Sequence, residues 1–284
     1  MKTYLQISLL VLLAGVLFAA SGCQQLEARD QLNRGVTNYK AAQFNQAIEN
    51  FQKAIQLDPS LINAKLYLAT AYQSQFVPGA PSDDNMKLAQ EAMDEYKVVL
   101  AQDGKNANAI AGLARLNYDM GNLDDAAGFY KQLLSVQPSD PTAYYTLGAI
   151  AFQKTHKGLL AARQSLGITD INAPLVPEKK ATANARKMCD NLKQEDSDTI
   201  NDGIDQLNKA LQLNPTYADA MTYLNLLYRD RADLSCGNET ARQADLKIAN
   251  DFVERGLAER KAEVAKANAK NSGGVVIDGS GTPK

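Results

Sequence analysis

His156 is the only imidazole in this chain of 284 residues, and Cys23, Cys189 and Cys236 are its only thiols. An imidazole works as a general base when a nucleophile and an orienting group stand beside it. No such signature surrounds Lys154-Thr155-His156, and His156 reads as an exposed residue of a helix. The acidic doublets Asp83-Asp84 and Asp124-Asp125 open helical stretches, where the helix dipole favours negative charge. They read as helix starts rather than as metal ligands or an acid/base pair. The cysteines fall at no metal-ligand spacing, and there is no phosphate-cradling P-loop. Asn238-Glu239-Thr240 matches the acceptor pattern for N-glycosylation. The expectation is a protein with no catalytic residue, no metal and no cofactor.

The thiol with the most informative surroundings is Cys23. Lys2 supplies a short positive segment, and Tyr4 to Ala20 is an apolar run interrupted by Gln6 and Ser8. It closes on Ala20-Ser21-Gly22-Cys23, which resembles the bacterial lipobox. That resemblance implies a signal peptide over residues 1–22, diacylglycerol on the Cys23 thiol, and a mature chain that begins there. Several acyl chains, palmitate among them, anchor durably where one alone would be marginal. Gln24 stands where an Asp would retain the protein at the inner membrane, so the resemblance implies the outer membrane, facing the periplasm. Two other readings stand beside it. One is an ordinary secretory signal cleaved near Ala20; the other is an uncleaved anchor, for which about 17 residues is the short limit. All three place the body of the chain outside the cytoplasm. In a bacterial cell Asn238 is better read as a turn or helix-cap residue.

What positions these residues is a repeated helical pair. Ala28 to Pro59 holds two helical patterns joined by a short polar turn, with Gly35 midway along the first and Ala47 opening the second. Phe51, Ala54 and Ile55 recur at spacings of three and four, one apolar helix face. Pro59 ends that helix. A lone hairpin cannot bury such a face, so copies must follow. The first small position recurs as Gly35, Ala69, Ala114 and Gly148, the second as Ala47, Ala92, Ala126 and Gly203. The large apolar position recurs as Phe51, Tyr96, Tyr130 and Leu207, and the terminator as Pro59, Gly104, Pro138 and Pro215. Ala92 to Ala126 is one period of 34 residues.

On these residues the chain resembles the tetratricopeptide-repeat family, whose period is about 34. Leu147-Gly148 in a first helix, and the endings Asp58-Pro59 and Asn214-Pro215, match its pattern; Tyr144 stands once where the family has Trp. The resemblance implies an all-α, right-handed superhelical solenoid of about five stacked hairpins. A short tether at 23–27 precedes the solenoid over 28–270. Its units fall near 28–61, 62–106 with a loop insertion, 107–140, 141–217 with a long insertion, and 218–270 with a long polar capping helix. In the long insertion, Glu178 to Lys193 reads as a short polar helix, and the partner helix resumes at about Asp198. Residues 271–284 are Gly/Ser-rich and read as a disordered tail.

Cys189 precedes the second helix of the fourth unit and Cys236 lies in the turn of the fifth. Outside the reducing cytoplasm such thiols tend to pair. Two readings stand: a disulfide tying the insertion to the last repeat, or two free, partly buried thiols, since a bridge also needs suitable backbone geometry.

In this family the first helices line a concave wall. Carrying its groove positions over gives Leu32, Val36 and Tyr39, then Leu66, Thr70 and Gln73, then Asn108, Arg115 and Tyr118. The fourth unit gives Tyr145, Ala149 and Phe152, and the fifth Thr222, Leu226 and Arg229. The Lys–Asn pairs of the family's carboxylate clamp are missing. A wall of this kind suits extended or helical segments with apolar side chains better than an acidic tail.

The totals agree with a large buried core: 45% of residues are hydrophobic and the net charge is −2. No basic cluster rises above a solvated helix face, so nucleic acid is not an expected partner, nor is a small-molecule substrate. The expected role is a non-catalytic interaction scaffold, lipid-anchored in the envelope, that binds envelope proteins or peptides during assembly or secretion. In plan it resembles repeat lipoproteins that assist pilus secretin assembly or outer-membrane protein insertion. The alternatives are a structural part that self-associates through its long last helix, and an accessory subunit acting through the long insertion.

Overall fold

The computed structural model describes residues 23–170, 172–179 and 181–272, with side chains to Ala269. The expected signal peptide and nearly all of the expected tail lie outside the described residues. Every regular element among those residues is α-helical. The helices fall into two compact units divided between Val136 and Gln137.

The first unit holds α1 (residues 23–40), α2 (Phe44–Leu57), α3 (Ile62–Gln75), α4 (Asp83–Gln102), α5 (Ala107–Asp119) and α6 (Leu123–Val136). Helix α1 is present from the first described residue, 23, so the segment expected as a tether is helical. Pairing follows from small residues set against large ones. A Cβ on Gly35 would lie 2.4 Å from the Phe51 ring, so α1 and α2 close at that distance only because residue 35 has none. Phe51 is fully buried, which contributes about 1.5–3 kcal/mol.

The ends of three of the second helices share one device. The Asp58 carboxylate accepts the Ser60 N–H at 3.0 Å, Asp103 accepts that of Lys105 at 3.3 Å, and the Asn214 side-chain oxygen accepts that of Thr216 at 3.3 Å. Each is an Asx turn, a side chain imitating a backbone turn two residues on. This is the physical content of the Asp-Pro and Asn-Pro endings. In the first insertion Phe76 is buried and Asn85 fixes the loop, accepting from Val77 N–H at 2.8 Å and donating to the carbonyls of Val77 and Ala80.

The second unit holds α7 (Pro141–Ser165), α8 (Ala183–Leu213), α9 (Ala218–Asp233) and α10 (Glu239–Ser272). Asp140 caps α7, accepting from Thr142 N–H at 2.8 Å, with Pro141 in the first turn. A Cβ on Gly148 would lie 2.3 Å from Leu207, the counterpart of the Gly35–Phe51 contact.

Here the long insertion differs from its reading. There is no separate helix from Glu178 to Lys193 and no restart at Asp198; α8 is one helix of 31 residues that contains Cys189. The reason lies in α7, whose extra turns carry Leu159 and Ala162 and need an apolar partner. Ala185, Cys189 and Leu192 of α8 supply it. The polar stretch Lys193 to Asp198 holds neither Gly nor Pro, so nothing breaks the helix between these contacts and the repeat core. The insertion is therefore a lengthening of both arms of one hairpin. Its connecting loop is clamped: Arg163 donates to the carbonyls of Asp170 (2.6 Å) and Ala173 (3.1 Å), Arg242 donates to that of Asn172, and Leu175 and Val176 are buried.

Candidate functional site

Within the first unit, Leu66, Thr70 and Gln73 recur every three or four residues along α3 and share one stripe. Asn108 of α5 joins them. With Tyr67, Tyr96, Ala111 and Gly112 they line a depression of about 420 Å³. No charged side chain lines it.

Its floor is a polar chain seated in apolar surroundings. The Tyr96 hydroxyl donates to Gln73 Oε1 at 2.7 Å and lies 3.2 Å from Thr70 Oγ1, which donates to the Leu66 carbonyl at 2.8 Å. Burial pushes the Tyr96 phenol up to about 12, so it stays neutral. Tyr96 reaches this position because residue 112 is glycine: a Cβ there would fall 2.3 Å from the ring. The exposed Asn108 carboxamide, donor and acceptor at once, sits at the rim.

The other expected wall residues of this unit are placed differently. Leu32 and Val36 are half-buried against the cluster of Ala47, Phe51, Leu68 and Ala71. Tyr39 packs edge-on to Phe44 and its hydroxyl lies 2.9 Å from Ser74 Oγ, joining α1 to α3. Arg115 donates to Asp119 at 2.6 Å on its own helix, and neither it nor Tyr118 lines the depression.

In the second unit Tyr145, Phe152, Thr222 and Arg229 are held by neighbours outside the expected set. Tyr145 meets Tyr217 and Tyr223 at 5.0 and 5.6 Å between ring centres, and Phe152 meets Tyr223 at 5.7 Å. Ala149 is fully buried and Leu226 half-buried. Thr222 Oγ1 donates to the Ala218 carbonyl and accepts from Arg260. Arg229 donates to Asn225 and to Asn250, at 2.9 and 2.8 Å, which links α9 to α10.

His156 corrects its reading as an exposed helix residue. Its ring is half-buried, lies over Phe152 at 4.5 Å, and places Nδ1 3.0 Å from the buried carboxylate of Asp230. That hydrogen bond raises the pKa of the imidazole, against the opposing effect of burial. Burial pushes the Asp230 carboxyl up, and His156 pulls it part of the way back. Two turns on, Arg163 grips Asp233 at 2.8 Å. Both pairs clamp α7 to α9.

The acidic doublets occupy the first turns of α4 and α6. Asn238 caps α10, accepting from Ala241 N–H at 3.1 Å. Among the described residues no group of three His, Cys, Asp or Glu side chains could hold a metal, and no helix is long and apolar enough to cross a membrane. Cys23 is exposed with a free thiol. Cys189 of α8 is joined to Cys236 by a disulfide, with Cα atoms 5.6 Å apart. Cys236 takes a left-handed backbone, φ 51°, in the α9–α10 turn.

Reading the sequence missed Tyr67, Tyr96, Ala111 and Gly112 as site residues. Tyr96 was assigned to the core by its phase, and its ring does lie there; the hydroxyl alone reaches the depression. Gly112 carried the available signal, as a glycine in mid-helix one turn after Asn108.

Comparison with known proteins gives one consistent answer on the fold. Family profiles described as tetratricopeptide repeat match residues 86–150 and residues 31–61. Over 133 residues the chain is 28% identical to the type IV pilus assembly protein PilF of Pseudomonas aeruginosa, covering 45% of this chain and 47% of that protein. The match therefore spans about half the length of that relative. Among solved structures, a crystal structure of MamA aligns with a TM-score of 0.54 at 15% identity, covering 84% of this chain and 94% of that one. MamA from Desulfovibrio magneticus RS-1 aligns with a TM-score of 0.53 at 13% identity, covering 83% and 96%. At such identities the likeness concerns fold alone.

Proposed function

The chain belongs to the tetratricopeptide-repeat family, and on that premise we propose that it is a non-catalytic scaffold of the bacterial envelope. It is tethered by lipid on Cys23 and grips a partner polypeptide in the depression between α3, α4 and α5. Protein–protein interaction is the general trade of this repeat family. The finer reading rests on one observation, the uncharged depression with Asn108 at its rim and the Tyr96–Gln73–Thr70 chain in its floor. A carboxamide offers both donor and acceptor, which is what an extended backbone presents in alternation. Leu66, Tyr67 and Ala111 offer an apolar seat for a side chain from the same segment. An acidic or basic tail finds no counter-charge there.

The envelope location is supported by the lipobox-like Ala20-Ser21-Gly22-Cys23 and by the exposure of the Cys23 thiol. The similarity to a protein named for type IV pilus assembly favours a role in assembling an envelope structure.

Two measurements test this reading. Radiolabelled palmitate is expected to enter the wild-type chain and to be absent from Cys23→Ser; equal labelling of both removes the tether. Crosslinking in the native envelope is expected to capture a different polypeptide on the wild-type chain. Ala111→Arg, which fills and charges the depression, is expected to lose that capture without a fall in thermal stability. Unchanged capture by Ala111→Arg would remove the depression from the account.

A further inference from the structure

Helix α10 has 34 residues and its hairpin partner α9 has 16. The two part near Arg260. Gly256 still faces Met221 and the Ala218 carbonyl, and Arg260 still donates to Asp219 and Thr222. From Lys261 to Ala269 every residue except Ala262 is exposed. Among the described residues, the helix thus runs about 18 Å past the end of α9, at 1.5 Å per residue.

The overhang also continues an apolar stripe. Val253, Leu257 and Val264 are 36%, 55% and 59% exposed. At about 100° per residue they lie within about 40° of one another around the helix. The stripe edges a second depression, of about 290 Å³, between α9 and α10, where Phe252 and Gly256 meet Thr222 and Asn225.

Charge says what covers it. Beside the stripe Glu254 stands three residues before Leu257 and Lys261 four residues after it, both on the same edge of the helix. Laid antiparallel on a copy of itself, each Glu254 meets a Lys261, whereas a parallel arrangement sets like against like. We propose that the outer face of α10 binds α10 of a second copy of this chain, antiparallel, about a twofold axis near Leu257. Leu257 then packs on its counterpart, and Glu254 of each copy faces Lys261 of the other, an isologous contact. The proposal stands apart from the α3–α5 depression and does not rest on it.

The test uses two full-length chains with different tags, expressed together, purified through one tag and probed for the other. The wild-type pair is expected to co-purify. Leu257→Glu with Val264→Glu is expected to reduce co-purification at least about tenfold, and because both side chains are exposed its far-ultraviolet circular dichroism should match the wild type. Lys261→Glu alone is expected to weaken the pair, and Glu254→Lys added to it to restore the pair, a rescue that a folding defect cannot produce. Failure of the wild-type chains to co-purify, co-purification indifferent to the double Glu change, or absence of rescue each overturns the proposal.

Discussion

His156 is informative at the scale of the residue because it is alone: its resonances in an NMR titration belong to no other imidazole. The Asp230 carboxylate, 3.0 Å from Nδ1, stabilises the charged ring, so the midpoint is expected above the ordinary 6.5. Asp230→Asn is expected to bring it down. A midpoint that Asp230→Asn leaves in place would show that the pair does not hold the proton. The consequence for stability has a definite sign. A histidine whose folded midpoint is raised contributes stability that is full below about 6.5 and lost as pH rises through that midpoint. Asp230 is also raised, so its share falls as pH rises from the ordinary carboxylate range. Denaturant titration is expected to find a more stable chain at about pH 6 than at about pH 8. The effect is moderated by solvent, since the ring is 41% exposed. His156→Ala leaves a buried carboxyl without its partner, and a loss of about 1–3 kcal/mol is expected. None of this was legible in the sequence. The two residues lie 74 positions apart, and they meet only because α7 is lengthened enough to run beside the end of α9.

At the scale of the element, the hairpins were legible because local chemistry and packing agree. The turn that joins α5 to α6 places Gly121 at φ 80°, with Asn122 N–H donating to the Asn117 carbonyl. Its counterpart between α1 and α2 places Ala42 at φ 57°, with Gln43 N–H donating to the Asn38 carbonyl. An L side chain in that region costs about 1–2 kcal/mol. Ala42→Gly is therefore expected to stabilise the first unit, by roughly 0.5–1 kcal/mol once glycine's extra entropy is counted. Gly148→Ala is expected to do the reverse. Its Cβ would meet the fully buried Leu207, and overpacking of this kind costs about 1–3 kcal/mol. Chemical denaturation of the two variants checks both signs, and a stabilised Gly148→Ala would deny the close contact of α7 with α8. The misread element, α8, fails for an instructive reason. A polar run such as Lys193 to Asp198 looks like a break when only burial is considered, yet helix propensity carries it between two apolar partners.

At the scale of the whole molecule, the two units have different fastenings. The first relies on packing and on side-chain bonds such as Asn85 to its loop; the second adds the Cys189–Cys236 disulfide, which spans 47 residues. Closing a loop of that length is worth about 2–4 kcal/mol through the unfolded chain. Cys189→Ser is expected to destabilise by that order, with hydrogen exchange quickening in peptides after Gln137 and unchanged before Val136. Uniform quickening would mean that the units unfold as one. The site divides along the same line. Leu66, Thr70, Gln73 and Asn108 were legible because their phase along α3 and α5 fixes which way they face. Tyr145, Phe152 and Arg229 share that phase, but they are held by Tyr217, Tyr223, Asn225 and Asn250, neighbours that no periodicity announces.

The most direct test of the scaffold reading places a photoreactive side chain at position 108, on the rim of the depression, and at Gln132 on α6 as the comparison. Both are exposed. Irradiation of the full-length chain in its native envelope is predicted to give an adduct with a different polypeptide from position 108 and none from position 132. No adduct at 108, an adduct with this chain alone, or the same adduct from both positions would contradict the account.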